Sequence, residues 1–212
     1  MIIAVDGPAA SGKGTLARKL AKAYGLAYMD TGALYRAVAR DLLAAGARLD
    51  DHTAAEQAAR AIEPASLDDP GLRSRGLGEA ASVVAGIPAV RAALLDVQRN
   101  FARRPEGAVL DGRDIGTVVC PDADVKLYVT ATPQVRAQRR HAELVAAGED
   151  ISLASVLAMI EARDARDRER TSSPLRPADD AALLDTSVLD IEAAFDAAIG
   201  LIKRKIGQRG CV

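Results

Sequence analysis

The chain has 212 residues, 49% of them hydrophobic and only 3% aromatic, with no Trp; that is long enough for one well-buried α/β domain and poorly equipped for stacking nucleic-acid bases. Its 28 basic and 29 acidic residues nearly cancel, so no global field points to a polyanion or to an anionic membrane. Cys120 and Cys211 are far apart and lack metal-ligand spacing, which excludes a disulfide framework and suits a reducing cytoplasm.

Met1-Ile-Ile-Ala-Val5 is a continuous apolar run, the pattern of a strand buried on both faces of a parallel sheet. With the chain entering a strand at once and no apolar run of spanning length, neither a signal peptide nor a membrane partner is expected. The run ends in Asp6, Gly7, Pro8, Ala9, Ala10, Ser11, Gly12, Lys13, Gly14 and Thr15. From Thr15 to Tyr24 an alanine- and lysine-rich helix follows. Strand, glycine-rich loop and helix are the context of a P-loop. The glycines let consecutive backbone N–H groups turn inward on an anion, and Lys13 adds a full positive charge for the β- and γ-phosphates. A Ser or Thr usually follows the lysine and holds Mg²⁺ through its hydroxyl. Here Gly14 takes that place and Thr15 comes one residue later. The metal is then expected to rest mainly on phosphates and water, as Mg²⁺ usually does.

Gly25 to Met29 reads as a second strand, and Asp30 or Thr31 can cap a helix running to about Ala45 with Arg36 one turn in. Gly46 to Pro64 is a polar, helical stretch. Pro64 to Gly78 is irregular, with the turn signal Asp68-Asp69-Pro70-Gly71. Glu79 to Ala85 and Pro88 to Phe101 are helical. Ala108 to Leu110 is a third strand that closes in Asp111, Arg113 and Asp114, and Asp124 to Val129 is a fourth. Helices are expected over Pro133 to Ala147 and from Ser152 to about Glu169, then a fifth strand at Ala182 to Asp185. Ile191, Phe195, Ile199, Ile202 and Ile206 mark one face of a terminal amphipathic helix. Alternating strands and helices with one P-loop predict an α/β fold, a five-stranded parallel sheet flanked by helices, with ligands outside the strands' carboxyl ends.

Two further features carry chemistry. Asp111 closes an apolar strand, where a carboxylate can orient Mg²⁺ and its water; the competing reading is a capping residue in a tight turn. Arg163, Arg166 and Arg170 share a helical face at i, i+3 and i+7. Asp164, Asp167 and Glu169 can pair with them as solvated salt bridges, or the arginines can form a lid that neutralises phosphate charge and excludes water.

From Ile3 to the last helix the chain resembles the bacterial cytidylate (CMP) kinases, members of the nucleoside monophosphate kinases. The matching segments run from Asp6 to Leu16, Asp30 to Arg36, Asp111 to Val119 and Arg163 to Arg170. The third, Asp-Gly-Arg-Asp-Ile-Gly-Thr-Val-Val, is close to family-specific. The resemblance implies a P-loop NTPase fold in a single kinase domain over 1–212, with a monophosphate-binding region at about 31–104 and an arginine-rich lid at about 148–176. It implies transfer from ATP, with Mg²⁺, to CMP and dCMP. It places Ser82, Arg91 and Asp114 at the cytosine edge, and Thr31, Arg36 and Arg113 near the acceptor's sugar and phosphate. Arg163, Asp167 and Arg170 reach the acceptor and transferring phosphates from the lid. Where many members carry a small β-rich insert, Pro64 to Leu72 offers only a turn. Rival readings are a kinase of AMP, UMP or shikimate on the same scaffold, and a nucleotide-binding module without turnover. No apolar surface stripe is left over, so a monomer is expected.

Overall fold

Ile3, Ala4 and Val5 are wholly buried because the strand they form, β1 (Ile2–Asp6), lies at the centre of a parallel sheet. The structure is a computed structural model and describes all residues except 64–66, 68 and 210–212. The other strands are β2 (Ala27–Asp30), β3 (Ala108–Gly112), β4 (Val125–Thr130) and β5 (Ala182–Asp185), in the order β2-β3-β1-β4-β5. In register, Val5 stands beside Asp111 and Asp6 beside Gly112. The loops that follow β1 and β3 therefore leave the sheet side by side, at the point where the strand order reverses and ligands of open α/β sheets bind.

The helices are α1 (Lys13–Tyr24), α2 (Thr31–Ala44), α3 (His52–Arg60), α4 (Arg75–Val84), α5 (Pro88–Ala102), α6 (Pro133–Ala146), α7 (Leu153–Glu169) and α8 (Ile191–Arg209). Leu16 and Leu20 of α1 and Ala198 and Ile202 of α8 pack with Ile3, Val5, Val125, Leu127 and Val129 into the main core. Phe195 and Ile199 join this core, whereas Ile191 and Ile206, expected on the same face, are 57% and 42% exposed at the ends of α8. The helix is longer than the layer it covers.

Three local outcomes differ from the sequence reading. α4 begins at Arg75, four residues before the expected Glu79, and takes in Gly76 and Gly78. Glycine costs about 1 kcal/mol in a helix, and burial of Ala80, Ala81 and Val84 outweighs it. Asp30 stands at the start of α2 but makes no side-chain cap; its carboxylate goes to Arg36 instead. Ile115–Val119, assigned no element from the sequence, is a π-helical turn. The irregular stretch contains a 3₁₀ turn at Pro70–Arg73, held by the Asp69 side chain accepting from the Gly71 N–H at 2.8 Å. Within that stretch, 64–66 and 68 lie outside the described residues, as does Cys211.

The chain forms two compact units, Met1–Met29 with Ala102–Val212, and Asp30–Phe101. The second has its own small core around Ala33, Ala37 and Leu72. Among the described residues no single helix is long and apolar enough to cross a membrane.

Candidate active site

The loop after β1 is shaped by contacts that only glycine permits. Gly7 has φ +150°, and a Cβ there would stand 2.0 Å from the Val129 carbonyl oxygen. Gly12 has φ +84° and lets α1 start at Lys13, two residues earlier than expected. Two hydrogen bonds from outside the loop brace it. Arg136 Nη1 donates to the Ala9 carbonyl at 3.2 Å, and Thr186 Oγ1 donates to the Ser11 carbonyl at 3.0 Å. These contacts hold the carbonyls of Ala9 and Ser11 toward α6 and the turn after β5. Lys13 is buried and its Nζ donates to the Pro8 carbonyl at 3.3 Å. Ser11 Oγ is buried with no hydrogen-bond partner among the described residues. A cavity of about 470 Å³ lies beside the loop, lined by Pro8, Tyr128, Thr130, Arg136, Asp164 and Arg168.

Beside the loop, Asp111 is buried at the end of β3 and its Oδ2 accepts from the Tyr28 hydroxyl at 2.7 Å. Gly14 lies against it, since a Cβ there would come 3.1 Å from Asp111 Oδ2. The next turn is tied back to β1, as Asp6 accepts the N–H groups of Ile115 and Gly116, both at 2.8 Å. Burial pushes the Asp6 carboxyl up to about 7, against the opposing pull of those two donors and of Arg113, with Asp114 adding to the rise. Asp114, buried, opens the π-helical turn and Arg113 precedes it.

The helix α7 meets this turn through one carboxylate. Asp167, 1% exposed, accepts from Arg113 Nε at 3.0 Å, pairs with Arg170, and has Arg163 Nε at 3.9 Å. Burial works to raise its pKa, but Arg113, Arg170 and Arg163 together hold the carboxyl below the ordinary range. Asp164 is buried too, in an ion pair with Arg136 of α6. Neither aspartate is a solvated partner of its helical neighbours, and Arg166, expected on the arginine face, is exposed. The face is made by Arg163, Asp167 and Arg170.

In the second unit, Thr31 is buried at the first position of α2. Arg36 reaches back across Gly32 to Asp30, with Nη2 to Oδ2 at 2.7 Å; a Cβ at Gly32 would collide with that pair. Ser82 is buried on α4. Arg91, buried on α5, donates to the Ala85 carbonyl at 3.3 Å, and its guanidinium lies 5.6 Å from the centre of the Tyr35 ring. Held this way, buried arginines present fixed forks to an anion or a base edge.

The cytidylate kinase family profile matches residues 3–204. The chain belongs to the cytidylate kinase family. It is 60% identical to the cytidylate kinase of Methylocella silvestris, over 96% of this chain and 94% of that one. It is 60% identical to that of Xanthobacter autotrophicus over 99% and 100%, and 61% identical to that of a Methylobacterium species over the same shares. Among solved structures, an uncharacterized protein from Eubacterium ventriosum superposes with TM-score 0.55 at 15% identity, covering 96% of this chain and 98% of that one. A Thermus thermophilus protein does so at 0.51 and 19%, covering 97% of each. At those identities the likeness is one of fold alone.

Four residues of the site were not picked out as such from the sequence: Asp6, Tyr28, Arg136 and Asp164, the last read there only as a solvated salt-bridge partner. Each acts across the fold rather than along the chain, at sequence separations of 109 for Asp6 with Ile115, 83 for Tyr28 with Asp111 and 28 for Arg136 with Asp164. Motif spacing carries no trace of such pairs.

Proposed function

We infer that the protein is an ATP-dependent kinase of CMP and dCMP, yielding CDP and dCDP. The observation that carries this reading is the convergence of Arg113, Arg163 and Arg170 on the one buried carboxylate of Asp167, in a chain that also has a P-loop. Three guanidiniums on one carboxylate leave an excess of fixed positive charge, which phosphoryl transfer needs and a passive nucleotide-binding module does not.

ATP lies along Gly7, Pro8, Ala9, Ala10, Ser11, Gly12, Lys13, Gly14 and Thr15, with the cavity beside Pro8 as room for its nucleoside. Thr31, Arg36 and Arg113 hold the acceptor's sugar and phosphate, and Ser82, Arg91 and Asp114 read the cytosine edge. A phosphate oxygen of CMP attacks the γ-phosphorus; the new P–O bond forms as the bond to the β,γ-bridging oxygen breaks, and ADP leaves. The nucleophile is already anionic, so no general base is required. Lys13 and the arginines of the lid position the phosphates and neutralise the charge that develops on them.

Mg²⁺ suits the donor set. No group of three or more His, Cys, Asp or Glu side chains gathers into a metal site among the described residues, whereas the single buried Asp111 stands next to the loop. That is the pattern of a Mg²⁺ held by substrate phosphates and water with one carboxylate, supplying charge neutralisation.

The near-zero net charge and scarce aromatic residues support nucleotides alone as partners, without nucleic acid or membrane; a monomer in the cytoplasm is part of the same proposal. The test is to incubate the purified protein with MgATP and CMP or dCMP and separate the nucleotides by anion exchange. ADP and CDP (or dCDP) in equal amounts are expected. ADP without CDP means an ATPase or a different acceptor and overturns the reading.

A further inference from the structure

Gly14 replaces the hydroxyl-bearing residue that ordinarily follows the P-loop lysine, and the space beside it is taken by two other side chains. A Cβ at Gly14 would stand 3.1 Å from Asp111 Oδ2 and 3.8 Å from the Tyr28 hydroxyl oxygen. These two oxygens are themselves 2.7 Å apart, with Tyr28 on β2 donating to Asp111 on β3. The Tyr28 ring is held from α1 by the Arg18 guanidinium, 5.6 Å from its centroid. The phenol is therefore fixed at both ends, by a cation at its ring and by a carboxylate at its hydroxyl.

An aspartate carboxylate rotates freely about its terminal torsion, whose preference is broad. A charge-assisted hydrogen bond to one oxygen removes that freedom before a ligand arrives. In ordinary P-loops the hydroxyl after the lysine helps place the metal; Gly14 has none.

We propose that Tyr28 is a positioning residue for the metal-bound nucleotide: its hydroxyl fixes the plane of the Asp111 carboxylate and offsets the ordering lost with the missing hydroxyl at Gly14. This rests on the reading of Asp111 as the carboxylate that orients Mg²⁺. Tyr28 touches neither substrate nor reacting atoms in this scheme. It acts through Asp111, as the partners of metal-binding carboxylates do. Phe at this position keeps the ring under Arg18 and deletes only the donor.

The experiment compares wild type, Tyr28→Phe and Asp111→Asn in two readouts. One is binding of Mn²⁺ to the protein–ADP complex, followed by the electron paramagnetic resonance signal of free Mn²⁺. The other is the Mg²⁺ concentration that gives half-maximal kinase activity. Thermal unfolding is recorded for all three. Tyr28→Phe is expected to weaken Mn²⁺ binding about tenfold, at the low end for removal of a partner of a metal ligand, to raise the Mg²⁺ midpoint in proportion, and to regain turnover at high Mg²⁺. If Asp111→Asn weakens Mn²⁺ binding and Tyr28→Phe does not, Asp111 keeps its role and the proposal for Tyr28 is overturned. A lowered Tm with unchanged Mn²⁺ affinity in Tyr28→Phe overturns it as well, leaving the tyrosine to join β2 to β3. If Asp111→Asn itself leaves Mn²⁺ binding unchanged, the reading of Asp111 fails and the proposal falls with it.

Discussion

Arg113 donates through Nε to Asp167 Oδ2 at 3.0 Å and so joins the turn after β3 to the helix α7. The same carboxylate pairs with Arg170, and Arg163 stands one helical turn away. One buried anion thus gathers the three cations assigned above, as a proposal, to the acceptor and transferring phosphates. Without it three guanidiniums would repel one another in a poorly solvated place.

Asp167→Asn is expected to destabilise the protein by about 3 kcal/mol at pH 7, the scale for breaking a buried ion pair from one side. The sign with pH follows from the depressed pKa of Asp167. Its contribution is present above the ordinary carboxyl value of 3.8 and is lost as pH falls through the lower value of the folded state. Urea unfolding at a series of pH values should show the gap between wild type and variant narrowing in acid; a gap independent of pH would contradict the ion pair.

Lys13→Ala should lower turnover by about two to four powers of ten, on the scale of a preorganised donor whose charge matters most in the transition state. The fold should survive, because Lys13 is not among the residues of the main apolar core. Steady-state kinetics with CMP check this, and near-full turnover would remove Lys13 from the chemistry.

Gly7→Ala tests the shape of the loop. Its Cβ would sit 2.0 Å from a backbone oxygen of β4, which cannot swing away as a side chain can. The expected outcome is a loss of several kcal/mol in stability, as for overpacking in a rigid place, with ADP binding weakened in calorimetry. A variant with wild-type Tm and ADP affinity would show that the loop does not approach β4 this closely.

Asp6 gives a pH effect of opposite sign to that of Asp167. Burial lifts its pKa from 3.8 to about 7, so the folded state holds a proton that the unfolded chain releases. Its contribution is complete below 3.8 and disappears as pH rises through about 7. Wild type should therefore lose stability relative to Asp6→Asn between pH 4 and 7, at up to about 1.4 kcal/mol per pH unit. Denaturant titrations of both proteins across that range measure it; a constant difference would place the titration elsewhere.

The alternation of strands and helices was legible because each segment states its own period, and the P-loop was legible because its glycines, lysine and flanks are contiguous. What could not be read is what the sheet brings together. Asp6 looks like the last residue of a strand until the register sets it beside Gly112 and within reach of the Ile115 and Gly116 N–H groups. Tyr28 looks like an aromatic in a half-buried strand until β3 lies alongside. The arginine run misled for a related reason. Helical spacing groups Arg166 with Arg163 and Arg170, but the buried partner of this face is Asp167, and α7 is turned so that Arg166 meets solvent. At α4 local propensity gave way to burial, and Gly76 and Gly78 were drawn into the helix.

The choice of base tests the account most directly. Cytosine offers an amine donor and a ring acceptor where uracil offers a carbonyl and an N–H. A carboxylate only accepts, so under the proposed assignment the buried Asp114 would bond the cytosine amine and face the uracil carbonyl without a partner, while Arg91 would donate to the ring acceptor. Polar groups left unpaired in a buried site reject the wrong base more strongly than shape does. The measurement is a coupled ADP-release assay with CMP, dCMP, UMP, AMP and shikimate, on wild type and Asp114→Ala. The predicted result is kcat/KM for CMP and dCMP at least about tenfold above UMP, about 1.4 kcal/mol, with the ratio collapsing in the variant through loss of CMP activity. Wild type that phosphorylates UMP as well as CMP, or a ratio unchanged in Asp114→Ala, would contradict it and leave a broader monophosphate kinase on the same scaffold.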